Sequence, residues 1–478
     1  MKQTIMTIMC CLFILSCNTP QPSNAIKLDI TPTLYPSISD ITIPTGIAPV
    51  QFQVRDAAEH IYIEAGNINS NTPIVSKHLK DGNSNWSSKE WQALISACKN
   101  DSLQLRFYIS NHDGWKQLND IQLFVSDAPI DPVLVYRKIY PGYELWSKMG
   151  IYQRELCSYD ESVVLDNSAS KGSCVNCHSF AKNDPQTMML HLRGNKSGTF
   201  IRHNGQEAVR KLQTALSPYN ATYPNWHPSE QYIAFSHNDV NQYFHAHGDK
   251  PVEVADAASD ILIYDVTNNR FLENSPLIGE GMMETFPGWS ADGKQLYFCA
   301  TNTPEKGTLL SDIKYDLYAC DFDASTGTLS DKRLIYEASA DDKSIAFPRC
   351  SPCGNFLLMT RSDYGTFPIW HKESDLCIID LRNNHMRVMD EVNSDNVDSY
   401  HSWSSNGNWI VFSSKREDGL WARPYIAYFD QATGYAHKPF VLPQSNPCAY
   451  LDELNSYNIP EFATSKIDQA TIRTLFTE

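Results

Sequence analysis

The chain has 478 residues, 42% of them hydrophobic and 20% charged, which is longer than one core usually fills, so two or three domains are expected. A formal net charge of -16 argues against nucleic acid as a partner, because a phosphate backbone repels an acidic surface. Eleven per cent aromatic residues with 26 Pro and 22 Gly favour many short strands and turns over long helices, and the composition predicts an all-β protein.

Residues 1–16 read as a signal peptide, since Met1-Lys2 is a short basic start and the apolar run Ile5 to Leu15 is too short for a retained membrane span. Leu15-Ser16-Cys17 matches the lipobox pattern, in which a small residue precedes the cysteine that becomes lipidated. Cleavage would leave Cys17 as the first residue, and more than one acyl chain on it is enough for stable anchoring. Residues 17–27 then form a polar tether. This start resembles that of bacterial lipoproteins, which implies an outer-membrane protein on the periplasmic side or the cell surface; an ordinary secretory signal with a chance cysteine is the alternative.

Residues 28–128 carry alternating apolar runs such as Val50 to Val54, His60 to Glu64, Leu103 to Tyr108 and Ile121 to Val125. They predict an immunoglobulin-like β-sandwich, without the Cys-Trp-Cys core of antibody domains. A boundary is expected across Asp127 to Pro132. The connector 129–172, with Tyr140 to Trp146 and Met149 to Arg154, is rich in aromatics and lacks periodicity. It either covers the edge of a cofactor or packs between domains.

Cys174-Val175-Asn176-Cys177-His178 is the most specific motif, because two thiols three residues apart with a histidine directly after them are the attachment site of a c-type haem. Cys174 and Cys177 would add to the haem vinyl groups, and His178 would be the proximal iron ligand. With 13 Cys and 14 His, random matches number roughly 0.01. A disulfide or an incidental zinc pair is the plainer reading of the two thiols.

Residues 173–462 then repeat. Tyr223 to Phe235, Phe286 to Phe298, Phe347 to Met359 and Tyr400 to Phe412 can be overlaid, with Trp226, Trp289, Cys350 and Trp403 at one position. Each holds a strand, a tight turn such as Asp292-Gly293 or Asn406-Gly407, and a second strand, followed by two more. Four strands per repeat predict a β-propeller of five or six blades, with the haem segment as the fifth and strands near Val133 to Tyr136 or the C-terminus as the source of a sixth, closed with the help of Ser456 to Pro460, and residues 463–478 are left as a tail. One extra residue in the turn at Asn183 to Pro185 brings Phe180 level with the tryptophans and His178 level with His401, near one mouth of the channel. His401 is therefore the leading candidate for the distal iron ligand. His245, His247 and His371 lie in loops of the same face, Met188, Met189 and His191 follow the motif closely, and an open five-coordinate iron is a further alternative. Arg361, Arg416 and Arg423 occupy that face as possible propionate ligands, or as solvated charges. A disulfide between Cys350 and Cys353, or buried free thiols, is expected.

These repeats resemble the TolB-like propeller, with its aromatic-x-Trp-Ser-Pro-Asp-Gly pattern, and the segment from Pro129 to Phe462 resembles haem-containing TolB-like lipoproteins of Bacteroidetes. The resemblance implies one covalent haem c, attachment to a membrane through the lipid, and electron transfer or redox-linked recognition of an unidentified protein partner in the periplasm. Two alternatives stay open: a haem-free propeller scaffold that binds a protein or glycan, and a haem enzyme or gas sensor. No hydrolytic motif stands out, so the reading leans away from an enzyme.

Overall fold

The computed structural model describes residues 22–140, 148–169, 172–194, 197–246, 250, 252–273, 275–279 and 281–477. The signal segment with Cys17, most of the aromatic run from Tyr140 to Trp146, and His247 lie outside the described residues. The protein is all-β, an immunoglobulin-like domain followed by a propeller. No helix among the described residues is long and apolar enough to cross a membrane.

In the first domain the strand Asp101–Asn111 is central. His60–Asn67 pairs along one edge, and Gly114–Gln117 and Ile121–Ser126 share the other. Its alternation buries Leu103, Leu105 and Phe107 on one face, as a half-buried strand requires. The facing layer is reduced. It consists of the short pair Leu34–Tyr35 and Gln53–Val54 together with a helix, Ser88–Ala97, that the strand-only expectation did not contain. Ser87 and Glu90 cap that helix reciprocally, and Trp91, Leu94 and Ile95, at i, i+3 and i+4, turn one face into the core.

The propeller has six blades. Blade 2 holds Cys174–Ala181, Asp184–Arg193, Gly198–His203 and Gln206–Arg210; the inner strands of blades 3 to 6 are Ala221–Trp226, Met282–Trp289, Ser344–Cys350 and Asp398–Trp403. Blade 1 combines both ends of the domain. Its outer strands Val133–Ile139, Met149–Glu155 and Glu161–Asp166 come from the segment read as a connector, and its inner strand is Ser456–Ala463. Val133, Leu134, Val135 and Tyr136, expected as one source of a sixth blade, are all buried, since this strand is covered on both faces. The tail beyond carries a short helix, Ala470–Thr477. The first domain packs on blades 5, 6 and 1 through one continuous core that includes Phe52, Phe107, Phe356, Trp409 and Tyr457.

Every inner strand is bulged at the same level, with register breaks at Val175/His178, Thr222/Asn225, Thr285/Gly288, Ala346/Arg349, Ser399/Ser402 and, in blade 1, opposite Val135/Arg137. Tyr223, Phe286, Phe347, Tyr400 and Ile459 sit at these bulges with φ between 46° and 57°, a left-handed conformation unusual for bulky residues. The four rings meet on the axis, with centroids 4.6 Å apart for Tyr223 and Phe286, 4.0 Å for Phe286 and Phe347, and 5.2 Å for Phe347 and Tyr400. An aromatic layer thus closes the channel and leaves a cavity at each mouth.

Candidate functional site

The mouth on the side of the loops between second and third strands holds a cavity of about 410 Å³. Cys174 and Cys177 border it, and four cations reach it: Arg137 from blade 1, Arg193 from blade 2, Lys372 from blade 5 and Lys415 from blade 6. No aspartate or glutamate among the described residues lines it. Its floor is Tyr223 and Tyr400 of the aromatic layer, and Phe367, Trp370 and Trp421 are among its walls.

Each cation is held differently. Arg137 donates to the Asn176 side-chain oxygen, and Arg193 lies against both thiols and donates a hydrogen bond to that of Cys174. Burial pushes the Cys177 thiol up, against the opposing pull of Arg137 and of the Tyr223 backbone. Lys372 is exposed. Lys415 is 7% exposed, and its ammonium, 4.6 Å from the Trp370 ring centroid, makes no hydrogen bond or ion pair with any described residue. Burial lowers it to about 8, with only Asp418 acting the other way.

The motif histidine is elsewhere. Because the bulge falls between Val175 and His178, Cys177 takes the channel-facing place that Tyr223 and Tyr400 take in their blades, and His178 turns into the layer between blades 1 and 2. Its side chain is 0% exposed, with its ring 5.8 Å from that of Phe180 and Nε2 3.9 Å from the Glu461 carboxylate. Neither ring nitrogen has a partner in hydrogen-bond geometry, though the Val135 backbone lies near, and burial with Arg137 holds the imidazole down to about 3. Burial likewise raises Glu461 to about 8, opposed by the Phe180 amide and Arg349.

Tested against these residues, a haem c fits in part. Two thiols, a cationic rim and aromatic walls suit a flat dicarboxylate joined through thioethers. The imidazole does not fit, because along an extended strand Cys174 and His178 are separated by about 13 Å, and His178, its side chain 0% exposed, borders the cavity of the opposite mouth and not this one. Iron ligation by His178 would require Val175 to His178 to leave the ladder.

His401 is on the inner strand of blade 6, separated from the motif strand by blade 1, so the last repeat does not close directly on the haem segment. Its Nε2 donates to the carbonyl oxygens of Phe347 and Leu358 at 2.8 and 3.0 Å, and Nδ1 accepts from the Thr360 hydroxyl at 3.3 Å. Both nitrogens are thus engaged, and the structure does not present His401 as a distal ligand. His371 bonds Glu373, His245 bonds Glu253, His191 bonds Thr199, and Met188 and Met189 are buried in inter-blade cores. Arg416 pairs with Asp398, and Arg423 is spent on the carbonyls of Asn455, Tyr450 and Glu453. All ten described cysteines, Cys350 and Cys353 included, are free thiols.

The opposite mouth, on the side of the hairpin turns, has a cavity of about 390 Å³ bordered by Trp226, Trp289 and Trp403 and by Arg349 and Glu461. Sequence reading missed the cationic set and the aromatic layer. The layer's signal was present as the residue before Pro224, Pro287, Pro348 and His401 in each repeat, whereas Lys415 stands in no motif.

No protein-family model matches this sequence, and no curated protein matches it. Among solved structures, the chain is similar to an oligogalacturonate lyase in complex with manganese, at 11% identity and a TM-score of 0.32, over 85% of this chain and 99% of that one. A DUF4784 family protein from Bacteroides caccae is similar at 7% identity and a TM-score of 0.31, over 76% and 95%. The oligogalacturonate lyase of Vibrio parahaemolyticus is similar at 11% and 0.31, over 84% and 98%. None of these likenesses assigns a role to a residue of this chain.

Proposed function

We propose that this protein is a binding propeller whose loop-side mouth receives an organic anion. The observation that carries the reading is the convergence of Arg137, Arg193, Lys372 and Lys415 on one cavity to which no described carboxylate contributes. A buried cation without a partner costs on the order of several kcal/mol, and the cost is recovered when a counter-charge enters. The lipobox at Cys17 supports tethering of this propeller to a membrane, and Cys17→Ser should release it into the soluble fraction.

A second reading of the same cavity is favoured by the motif and by the orphaned imidazole. In it the anion is a haem joined to Cys174 and Cys177, and His178, whose nitrogens have no partner in hydrogen-bond geometry, meets the iron after its segment has left the ladder. The group would supply a one-electron couple, and the protein would pass electrons to a partner in the periplasm. The test is coexpression with haem-attachment machinery, followed by a denaturing gel stained for haem. A band lost in the Cys174→Ala, Cys177→Ala double variant supports covalent haem. Absence of a band overturns it and leaves a non-covalent anion site.

A further inference from the structure

From Lys415 we infer that the ligand of the loop-side mouth is a flat aromatic acid, seated on the Tyr223 and Tyr400 floor with its acidic group at Lys415 on the blade 5 and blade 6 side. The inference rests on the binding reading above and specifies the ligand class and the residue that selects it.

Lys415 differs from the other three cations. Arg137 and Arg193 place donors on the neutral side chains of Asn176 and Cys174, which bring no counter-charge, and the Nε of each is buried without a hydrogen-bond partner, whereas Lys372 is exposed. The buried cations thus share the demand for an anion, and Lys415 is the one among them whose charged head makes no hydrogen bond to any described residue. Lys415 leaves the strand Trp409–Ser414, and its ammonium is carried over the Trp370 ring into the cavity. A ring face attracts a cation but takes no hydrogen bond of the ammonium type, so its three donors remain unused by described groups. An acid group supplies the acceptors and the charge together. Neutral or cationic ligands would leave the ammonium buried and unpaired. Tyr223, Tyr400, Phe367, Trp370 and Trp421 supply ring surfaces on several sides of one cavity of about 410 Å³, which suits a flat aromatic body better than a flexible aliphatic chain. Burial lowers Lys415 only to about 8, so the ammonium form still predominates at neutral pH.

The experiment uses the full chain and two fluorescent probes of one shape, 1-pyrenebutyrate and its neutral counterpart 1-pyrenebutanol, titrated at pH 7. The acid should bind saturably and at least about tenfold more tightly than the alcohol. Lys415→Gln should remove that preference and Lys415→Arg should retain most of it, with circular dichroism reporting that both variants are folded. Trp421→Leu should weaken both probes and so reports where they sit. If acid and alcohol bind equally and both respond to Trp421→Leu, the mouth is a binding site but the acid inference is wrong. If Lys415→Gln leaves acid binding unchanged, Lys415 is not the anchor. If neither probe saturates, the inference and the binding reading fall together.

Discussion

Replacing His401 with glutamine should make the propeller less sensitive to acid. The imidazole is 4% exposed and bonded through both nitrogens, and burial, with the Arg349 guanidinium adding to it, holds it down to about 3 from an ordinary 6.5. As pH falls the unfolded chain takes up this proton near 6.5 while the folded chain refuses it until about 3, so protons favour the unfolded state throughout that window. Stability contributed by the neutral ring therefore falls by about 1.4 kcal/mol per pH unit, which is about 2 kcal/mol at pH 5 and about 5 kcal/mol in full. Glutamine keeps an N–H donor for the Phe347 carbonyl and does not titrate. At pH 7.5 the variant should be less stable by about 1 kcal/mol, the worth of a hydrogen bond made less well. By pH 5 the order should reverse by a similar amount. Urea midpoints followed by tryptophan fluorescence at pH 7.5, 6 and 5 measure both. A difference that does not change with pH would refute the neutral buried imidazole, and one that widens in acid would mean that the ring is charged in the fold.

Ending the chain after Asn455 should abolish cooperative unfolding of the propeller, because it removes the inner strand of blade 1 with buried Tyr457 and Phe462; a sharp urea transition in the truncated protein would show that the ring closes without it. Gly288→Ala should cost about 1–3 kcal/mol, since a Cβ there would lie 2.2 Å from the Pro348 carbonyl oxygen, and a melting temperature unchanged from the parent would contradict that contact. Maleimide should label Cys157 and Cys353 in the native protein and spare Cys174 and Cys177, each 3% exposed, until denaturant is added; early labelling of the motif, read by peptide mass, would mean that blade 2 opens in the folded state.

Blades 3 to 6 were legible in the sequence because their signals are local. A Trp or Cys before the turn, a glycine in the turn such as Gly293, Gly354 or Gly407 with φ of 72° to 76°, and an apolar strand after it follow within about a dozen residues. The haem-type motif is local in the same sense, and so is the placement of Phe180 level with the tryptophans. Tertiary structure alone decided what depends on distant partners. Val133–Ile139 finds its inner neighbour in Ser456–Ala463, more than 300 residues away, and no spacing rule announces such a pair. The facing of the motif was decided by a single bulge: side chains alternate with period two, so one inserted residue between Val175 and His178 sends Cys177 to the axis and His178 between blades. Lys415 is an ordinary loop lysine in the sequence, and it becomes a buried charge without a partner only because blades 1, 2, 5 and 6 converge around the mouth that it enters.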